Sequence, residues 1–570
     1  MQRQRLIIDP GSDLGRSLRD HDEVVADRYW AAYIIMHLLG IAALTPWNAM
    51  ITPIEYLHLR VAGSAFEQSF ESVLTTTFTW IAFATLLCMQ KFQNYFSVRV
   101  RIIGPLILLI CIFSILAGLA LMPLATPNPE LLGSLKDEAS GQFFALIACG
   151  MLCGVGQAIL TGSSMAYASL YASGSYLQAV SVGNGIAGLA VTVSSLVITL
   201  PGVANACSTA SSLTTRVASD DITAAHTRDI ITASDDMTAA HARDIIAAAA
   251  TYFSVSVAVL VTCLGAFLVV ERLPFTRACK RLNARTAAAG AANTIDRNNS
   301  SWSGALVEGA SSSQVVVAPD GDSYASPPPG ATGINTHPDV GLGTSPGDDG
   351  SCNDQRGNGE PTAVLWKHAA SVCIVYAVTI AIFPSLTSTI IAAPYQNQTS
   401  SLAHDANTRT PSSWCVWSHL FVPIGFVLFN LGDMIGRAAP CIMRSSRGIV
   451  CAALARIAFA PLFMMCYTAQ GSAMQLPVFW GTDTMPLCVM TIFAVSNGWL
   501  TSSIFVAVAE QINDATQRES ATTLIVTMLN CGICIGASLS FLVRYLDCTP
   551  SATNSFDCNP FISRHTNSSA

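Results

Sequence analysis

The feature that most constrains this chain is a series of long apolar runs, each as long as a bilayer-spanning helix. The hydrocarbon core of a membrane is about 30 Å thick, so about 20 mainly apolar residues cross it as an α-helix. By this rule we count about eleven spans, near 29–51, 72–91, 102–122, 142–165, 178–200, 249–270, 368–392, 415–437, 447–467, 486–509 and 520–544. The sequence therefore predicts an all-α polytopic membrane protein.

Composition supports this class and argues against others. Of the 570 residues, 51% are hydrophobic and 11% are charged, whereas soluble domains carry about 25% charged residues. The formal net charge is −7 and no basic tract suits nucleic acid. No P-loop, metal-ligand cluster or nucleophile–base pair stands out, so we expect neither an enzyme nor a metal or other cofactor.

The distribution of Lys and Arg predicts the orientation in the membrane, because basic residues accumulate in cytosolic loops. Residues 1–28 form a polar segment without a cleavable signal, which we assign to the cytosol. The loops that would share this side carry Lys91, Arg99, Arg101, Arg272, Arg277, Lys280, Arg281, Arg285, Arg444 and Arg447. With eleven spans, the carboxyl terminus then lies outside the cell.

Two segments interrupt the series of spans. Residues 273–363 are rich in Gly, Ser, Pro, Asn and Asp, a composition that predicts a disordered cytosolic loop. This loop divides a six-helix bundle, 29–272, from a five-helix bundle, 364–545, which an extracellular tail, 546–570, follows. The other segment is a tandem duplication in 218–247, "ASDDITAAHTRDIIT" followed by "ASDDMTAAHARDIIA".

We interpret the duplication as an exposed extracellular loop in which Ser219 and Ser234 cap short helices. A metal or ligand role for His226 and His241 is the alternative.

The predicted outer side carries candidate modification sites. Asn397 and Asn567 lie in N-x-S/T sequons, which are acceptors for glycosylation on that side. Cys548 and Cys558 flank a polar stretch of the tail and are candidates for a disulfide in an oxidising compartment.

One predicted span contains a polar stripe, in "FVLFNLGDMIGRAA". Asp433 and Arg437 are four residues apart, so on a helix they share a face and can pair, and Asn430 lies on the same side. Charged groups inside a bilayer face protein or a water-filled cavity. The stripe is either a substrate or proton pathway or a pair that only holds helices together.

Two further groups of residues fit a polar cavity. In the first span, Pro46 removes a helix hydrogen bond, while Trp47 presents a flat ring and Asn48 an amide. A kink and an interfacial tryptophan are the alternative explanation. In the fourth span, the Gln157 amide needs a partner, either a substrate or another helix. Small residues in the fifth span, including Gly183, favour close helix packing.

Together these motifs resemble the equilibrative nucleoside transporter family, with a character closest to its protozoan members. The resemblance rests on Pro46-Trp47-Asn48, "FNLGDMIGR" from Phe429, "VTIAIFPSLT" at 378–387, "RIAFAPL" from Arg456 and "SNGWLTS" from Ser496. These motifs follow the family order over about 500 residues, and the variable cytosolic loop falls between spans six and seven. The resemblance extends over essentially every span but over neither the duplication nor this loop.

The resemblance implies eleven helices in a 6+5 arrangement, related to the major facilitator architecture, which rock around a midplane site. It implies that Trp47 lines the nucleobase end of the cavity, that Gln157 hydrogen-bonds the base, and that Asn48 also binds substrate. Asp433 and Arg437, supported by Asn430, would contact the ribose or organise the cavity. Structural or gating roles would fall to Pro46, Gly183, Phe383, Pro384, Arg456 and Asn497.

The implied function is transport of nucleosides or nucleobases, purines among them, by facilitated diffusion or proton symport, at the plasma membrane. The implied partners are this small substrate and the bilayer. Two alternatives stay open at this stage, a carrier of another small polar organic solute and a receptor or scaffold that does not transport.

Overall fold

Eleven membrane-length helices form most of the described part of the chain, as predicted, and confirm the all-α class. The computed structural model describes residues 27–62, 64, 66–122, 132–171, 173–217, 224–285, 361–390, 392, 412–439, 442–466, 482–512 and 514–547. The helices are α1 Ala31–Ile51, α2 Phe70–Phe92, α3 Val98–Leu121, α4 Leu132–Ala168, α5 Gly174–Val217, α6 Ala224–Val270, α7 Pro361–Ile382, α8 Ser412–Ala438, α9 Ser446–Met464, α10 Thr484–Gln511 and α11 Ala515–Asp547.

The sequence of α3 shows why these segments form membrane helices. It is almost entirely apolar, and the Oγ of Ser97 accepts a hydrogen bond from the Val100 amide at its first turn. Its Leu106 and Phe113 side chains are fully buried, whereas Ile115 on another face is 65% exposed. A helix that is apolar all round buries one face in protein and offers the others to lipid.

Successive spans run in opposite directions, so the bundle has two ends. We call the end where α1 begins the near end, and the end where α1 finishes, at Ile51, the far end. The first group of helices is α1–α6 and the second group is α7–α11. Within the first group, α1 packs on α4, α5 and α6, and within the second, α8 packs on α10. The two groups meet where α5 packs on α8 and α10, and where α11 packs on α2 and α4.

Several helix limits differ from the predicted spans. The α4 helix begins at Leu132, and α5 and α6 extend far past their apolar cores, to Val217 and from Ala224. Residues 224–247, most of the duplication, therefore lie in one continuous helix and not in a loop with short helices. The repeat is rich in Ala, a strong helix former that a hydropathy rule does not detect. The α9 helix is interrupted by a 3₁₀ turn at Arg456–Ala458.

Some predictions fall on residues that the structure does not describe. Contacts set Ala288–Pro361 apart as a unit of its own, and almost all of it lies outside the described residues, as do residues 1–26. The same holds for the two sequons at Asn397 and Asn567, for the Cys548–Cys558 pair, and for Ser219.

Candidate functional site

The Asp433–Arg437 pair lies at the junction of four helices. The Nε of Arg437 donates to the Oδ2 of Asp433 over 2.7 Å, one turn apart on α8 as the spacing predicts. Arg437 also donates to the Ser181 Oγ of α5 and to the Tyr376 hydroxyl of α7, both over 2.9 Å. The Nδ2 of Asn497, on α10, donates to the other Asp433 oxygen over 2.7 Å.

The pair is thus a lock between helices in this conformation. Asp433 and Arg437 are only 7% and 6% exposed, and each carboxylate oxygen has a donor. Breaking a buried ion pair on one side costs about 3–5 kcal/mol, since it leaves an uncompensated charge. A ligand that contacts Asp433 must therefore share or replace a donor that the protein already supplies.

A second arginine extends this network. Arg456, buried at the 3₁₀ turn of α9, donates to the Thr379 Oγ1 over 2.9 Å, and Thr379 is 2.8 Å from the Asn497 Oδ1. It also donates to the Phe493 carbonyl over 2.8 Å and to the Ser496 hydroxyl, while its guanidinium lies 4.5 Å from the centre of the Phe493 ring. Aromatic and carbonyl contacts of this kind stabilise a desolvated cation. Arg456 and Asn497 therefore connect α7, α9 and α10.

Asn430 does not join this network. Its Nδ2 donates to the Phe426 carbonyl of its own helix over 3.0 Å, and its Oδ1 lies against Gly188 of α5. A Cβ atom at Gly188 would collide with that oxygen and would come within 4.0 Å of Leu44 on α1. Gly188 thus lets α8 approach α5 closely, beside Leu44, which lies one turn before Trp47 on α1.

The predicted α1 and α4 residues are joined to each other. The Trp47 backbone N–H donates to the Gln157 Oε1 over 2.9 Å, and the Trp47 ring packs on Phe78 of α2 with centroids 5.0 Å apart. Asn48 is buried, and its Nδ2 has no hydrogen-bond partner among the described residues. A buried amide donor without a partner is costly, which makes this group available to a ligand or water.

The predicted structural residues have packing roles. Pro46 lies inside a continuous α1 and is buried. At Gly183, α5 crosses α1 so closely that a Cβ atom would collide with the His37 carbonyl. The Phe383 ring stacks on that of Phe429, on α8, with centroids 3.9 Å apart, and the Phe383–Pro384 peptide bond, just after α7, is cis.

The two sets of predicted residues lie at different depths. Trp47 is one turn before the far end of α1, whereas Arg437 is next to the near end of α8. Between the sets, α5 contacts α8 at Gly188, where Asn430 and Leu44 lie beside it. Ser181 and Tyr376 could not be predicted as members of the site, because nothing in a single helix indicates which residue of another helix faces it.

Contacts between the two groups are concentrated at the near end. Arg101 of α3 forms an ion pair with Glu519 of α11. Further hydrogen bonds between the groups join Gln93 to Ser520, Gln90 to Thr527, Arg518 to the Ser169 carbonyl, and Gln178 to the Arg437 and Ala439 carbonyls. These side chains hold the near ends of the two groups together.

The far end carries a covalent connection that no local sequence pattern predicts. Cys207, near the end of α5, and Cys415, in the first turn of α8, form a disulfide, with their Cα atoms 5.9 Å apart. This bond links the first group of helices to the second.

Comparisons with known proteins agree with the geometry. The family model for "Nucleoside transporter" matches residues 232–545. The chain is 24% identical to human "Equilibrative nucleoside transporter 2" over 547 residues, covering 91% of this chain and 98% of that protein. It is 20% identical to "Equilibrative nucleotide transporter 8" of Arabidopsis thaliana over 529 residues, which cover 91% and 97% of the two chains.

Solved structures similar to this one include the major facilitator superfamily proton:xylose symporter XylE. That match has a TM-score of 0.43 at 12% identity and covers 91% of this chain and 88% of that one. The family match spans more than half of the chain and includes the whole Asp433 network except Ser181. The chain belongs to the nucleoside transporter family.

Proposed function

We propose that this protein carries nucleosides or nucleobases across the plasma membrane by alternating access, as a transporter and not as an enzyme. The observation that carries the proposal is the buried Asp433–Arg437 pair, which joins helices of both groups in a chain of this family. Ionisable groups inside a membrane mark substrate or ion pathways. The relatives named above carry the words "nucleoside transporter" and "nucleotide transporter" in their names.

The chemistry of the two sets of residues suits the two halves of a nucleoside. Trp47 has a flat ring for stacking on a base, and the Gln157 and Asn48 amides can donate hydrogen bonds to its edge. The Asp433 carboxylate can accept hydrogen bonds from two sugar hydroxyls. Because Asn497 and Arg437 already bind that carboxylate, we propose that the sugar displaces one of these donors as the groups move.

The contacts between the two groups indicate which side of the carrier is closed in this conformation. Hydrogen bonds and the Arg101–Glu519 ion pair close the near end, so the conformation described is sealed on that side. Rocking of the two groups would break these contacts and open the near end. A nonconducting scaffold would have no need of such paired, breakable contacts.

The orientation proposal is that the amino terminus is cytosolic and the carboxyl terminus extracellular. The near end carries Arg101, Arg272 and Lys280, as expected of a cytosolic face. The far end carries the Cys207–Cys415 disulfide, and disulfides persist in oxidising compartments such as the cell exterior. Labelling of epitopes at each terminus in intact and permeabilised cells tests this arrangement.

The test of substrate class is an uptake panel. Uptake-deficient cells expressing the protein receive labelled purine and pyrimidine nucleosides, their free bases, and an unrelated polar solute. We expect saturable uptake of at least one nucleoside or base. If no nucleoside or base is taken up or competes for uptake, the proposal is contradicted. Asp433→Asn and Arg437→Leu should abolish uptake while surface expression persists, and retained uptake in both variants would remove the pair from the mechanism.

Proton symport is the second candidate, and Asp433 is its proton acceptor. If Arg437 leaves the carboxylate during the cycle, a proton can replace the lost positive partner. Uptake would then rise as the external pH falls, because more carboxylates are protonated at lower pH. Uptake that stays constant across external pH, with substrate equal on both sides at equilibrium, supports facilitated diffusion instead.

A further inference from the structure

The disulfide at the far end has a third potential ligand beside it. His419 lies one turn after Cys415 on α8, and residues four apart on a helix share a face. Its imidazole and the Cys207 and Cys415 sulfurs all lie within 4.8 Å of one another. Cys207 is buried, Cys415 is half-buried and His419 is exposed, so the cluster opens toward solvent at one side.

The position of this cluster matters because α5 and α8 belong to different groups. The two helices also touch at the near end, where Arg437 binds Ser181 and Gln178 binds the Ala439 carbonyl. Of the described contacts between these two helices, the one at the far end is covalent. Rocking around a midplane site moves the far ends of the two groups relative to each other between the halves of the cycle. A bond between α5 and α8 at the far end restricts that movement.

We propose that Cys207, Cys415 and His419 form a switchable bridge between the far ends of α5 and α8. In the oxidised chain the bridge is the disulfide, and in the reduced chain it is a site for a soft divalent cation of the zinc class. Either form of the bridge slows transport, and its removal speeds transport. The effect on transport rests on the proposed function, whereas the bridge itself does not.

The chemistry of the two forms is balanced. A dithiol reductant supplies two electrons and two protons, the sulfur–sulfur bond breaks, both cysteines become thiols, and the reductant becomes a cyclic disulfide. Binding of a divalent cation releases the two thiol protons and leaves two thiolates and one neutral imidazole as ligands. Two cysteines and one histidine, with water in a fourth position, form a known type of zinc coordination.

The first experiment detects the disulfide without any transport assay. A protease site is placed between α6 and α7, and the purified full-length protein is cleaved there and run on a denaturing gel. Because Cys207 and Cys415 lie in different fragments, the two fragments should migrate together without reductant and apart after dithiothreitol. The fragments of the Cys207→Ser variant should migrate apart both without reductant and after dithiothreitol. Separation of the wild-type fragments without reductant would overturn the oxidised bridge.

The second experiment detects the metal site. The reduced protein is titrated with Cd²⁺, and the thiolate-to-cadmium absorption band in the ultraviolet is recorded. A high-affinity component present in wild type should be missing in Cys207→Ser. His419→Gln should weaken it at least as much as the roughly 10–100-fold that loss of a supporting residue costs. Equal titrations of wild type and Cys207→Ser would overturn the reduced bridge.

The third experiment measures the effect on uptake. Reduction should raise the uptake rate of wild type several-fold, and Cys207→Ser should show the raised rate without reduction. Cd²⁺ should slow the reduced wild type, slow His419→Gln much less, and leave Cys207→Ser unchanged. If reduction separates the wild-type fragments on the gel but leaves the uptake rate unchanged, the bond has no effect on transport, and the switch is overturned. A complete lack of uptake in every variant would instead contradict the proposed function.

Discussion

Tyr376, on α7, is a hydrogen-bond partner of the Arg437 side chain and so joins α7 to α8. Its hydroxyl accepts from the Nη2 of Arg437 over 2.9 Å, and α7 has no other described hydrogen bond to that guanidinium. A hydrogen bond to a charged group contributes about 1.5–3 kcal/mol. Removal of the hydroxyl therefore frees Arg437 on one side but keeps the ion pair intact.

The substitution Tyr376→Phe tests this role. We expect the free energy of unfolding of the purified protein to fall by about 1.5–3 kcal/mol, which lowers its melting temperature. We also expect slower uptake at unchanged surface expression. Tyr95→Phe is the control, since the Tyr95 side chain is 79% exposed and lies outside the network. Stability and uptake that match wild type would mean that the hydroxyl adds nothing to the site.

Gln157 can be tested for two roles at once. Its Oε1 accepts the Trp47 N–H, and its Nε2 is the donor that we assign to a base. Gln157→Glu keeps an acceptor for Trp47 but loses the donor, whereas Gln157→Leu loses both. If the amide binds the base, both variants should raise the KM for uptake, and only Gln157→Leu should lower thermal stability. Normal uptake by Gln157→Glu would restrict the side chain to a helix contact.

At the scale of single helices, α5 depends on small residues at defined positions. A Cβ atom at Gly183 would collide with the His37 carbonyl of α1, whereas nothing lies within 4 Å of a Cβ atom at Gly202 on the same helix. Overpacking typically costs 1–3 kcal/mol, while Ala is the better helix former by about 1 kcal/mol. The position along the helix therefore decides whether a Gly→Ala substitution lowers or raises stability.

We accordingly expect Gly183→Ala to lower thermal stability and Gly202→Ala to leave it unchanged or raise it. Both are measured as the temperature at which the detergent-solubilised protein loses its monodisperse elution peak. Equal effects of the two substitutions would contradict the close crossing of α1 and α5.

Sequence patterns predicted the helices better than their limits and their contacts. The apolar runs located all eleven spans, because burial in lipid demands a long apolar segment. They missed the extensions of α5 and α6, because helix formation there does not depend on hydropathy. The i to i+4 spacing predicted the Asp433–Arg437 pair, but Ser181, Tyr376 and Cys207 reach α8 from distant parts of the chain. Such contacts depend on how helices pack, which no local pattern encodes.

For the whole molecule, the Arg101–Glu519 ion pair joins α3 to α11 and so holds the near ends of the two groups together. Its side chains are 6% and 20% exposed, so the pair is largely desolvated. Glu519→Arg places two cations side by side and should open the near end. The double variant Arg101→Glu/Glu519→Arg restores opposite charges and should close it again, at least in part.

The measurement is the rate at which a membrane-impermeant maleimide labels a single cysteine introduced at Ser181 in inside-out vesicles. We expect faster labelling in Glu519→Arg and a return toward the wild-type rate in the double variant. Arg444→Ala is the control, because the Arg444–Glu510 pair is exposed and lies within the second group. Equal labelling in all variants would mean that this pair does not hold the near end closed.

The length of α5 and α6 has a practical consequence for imaging. With 44 and 47 residues, and a rise of 1.5 Å per residue, the two helices are about 66 Å and 70 Å long. The hydrocarbon core takes up only about 30 Å of that, and the excess lies on the far side. A carrier of this size usually gives electron micrographs little outside the detergent belt by which to orient a particle. Here the two long helices are an asymmetric landmark outside the detergent belt, which allows particles to be aligned without an attached antibody fragment.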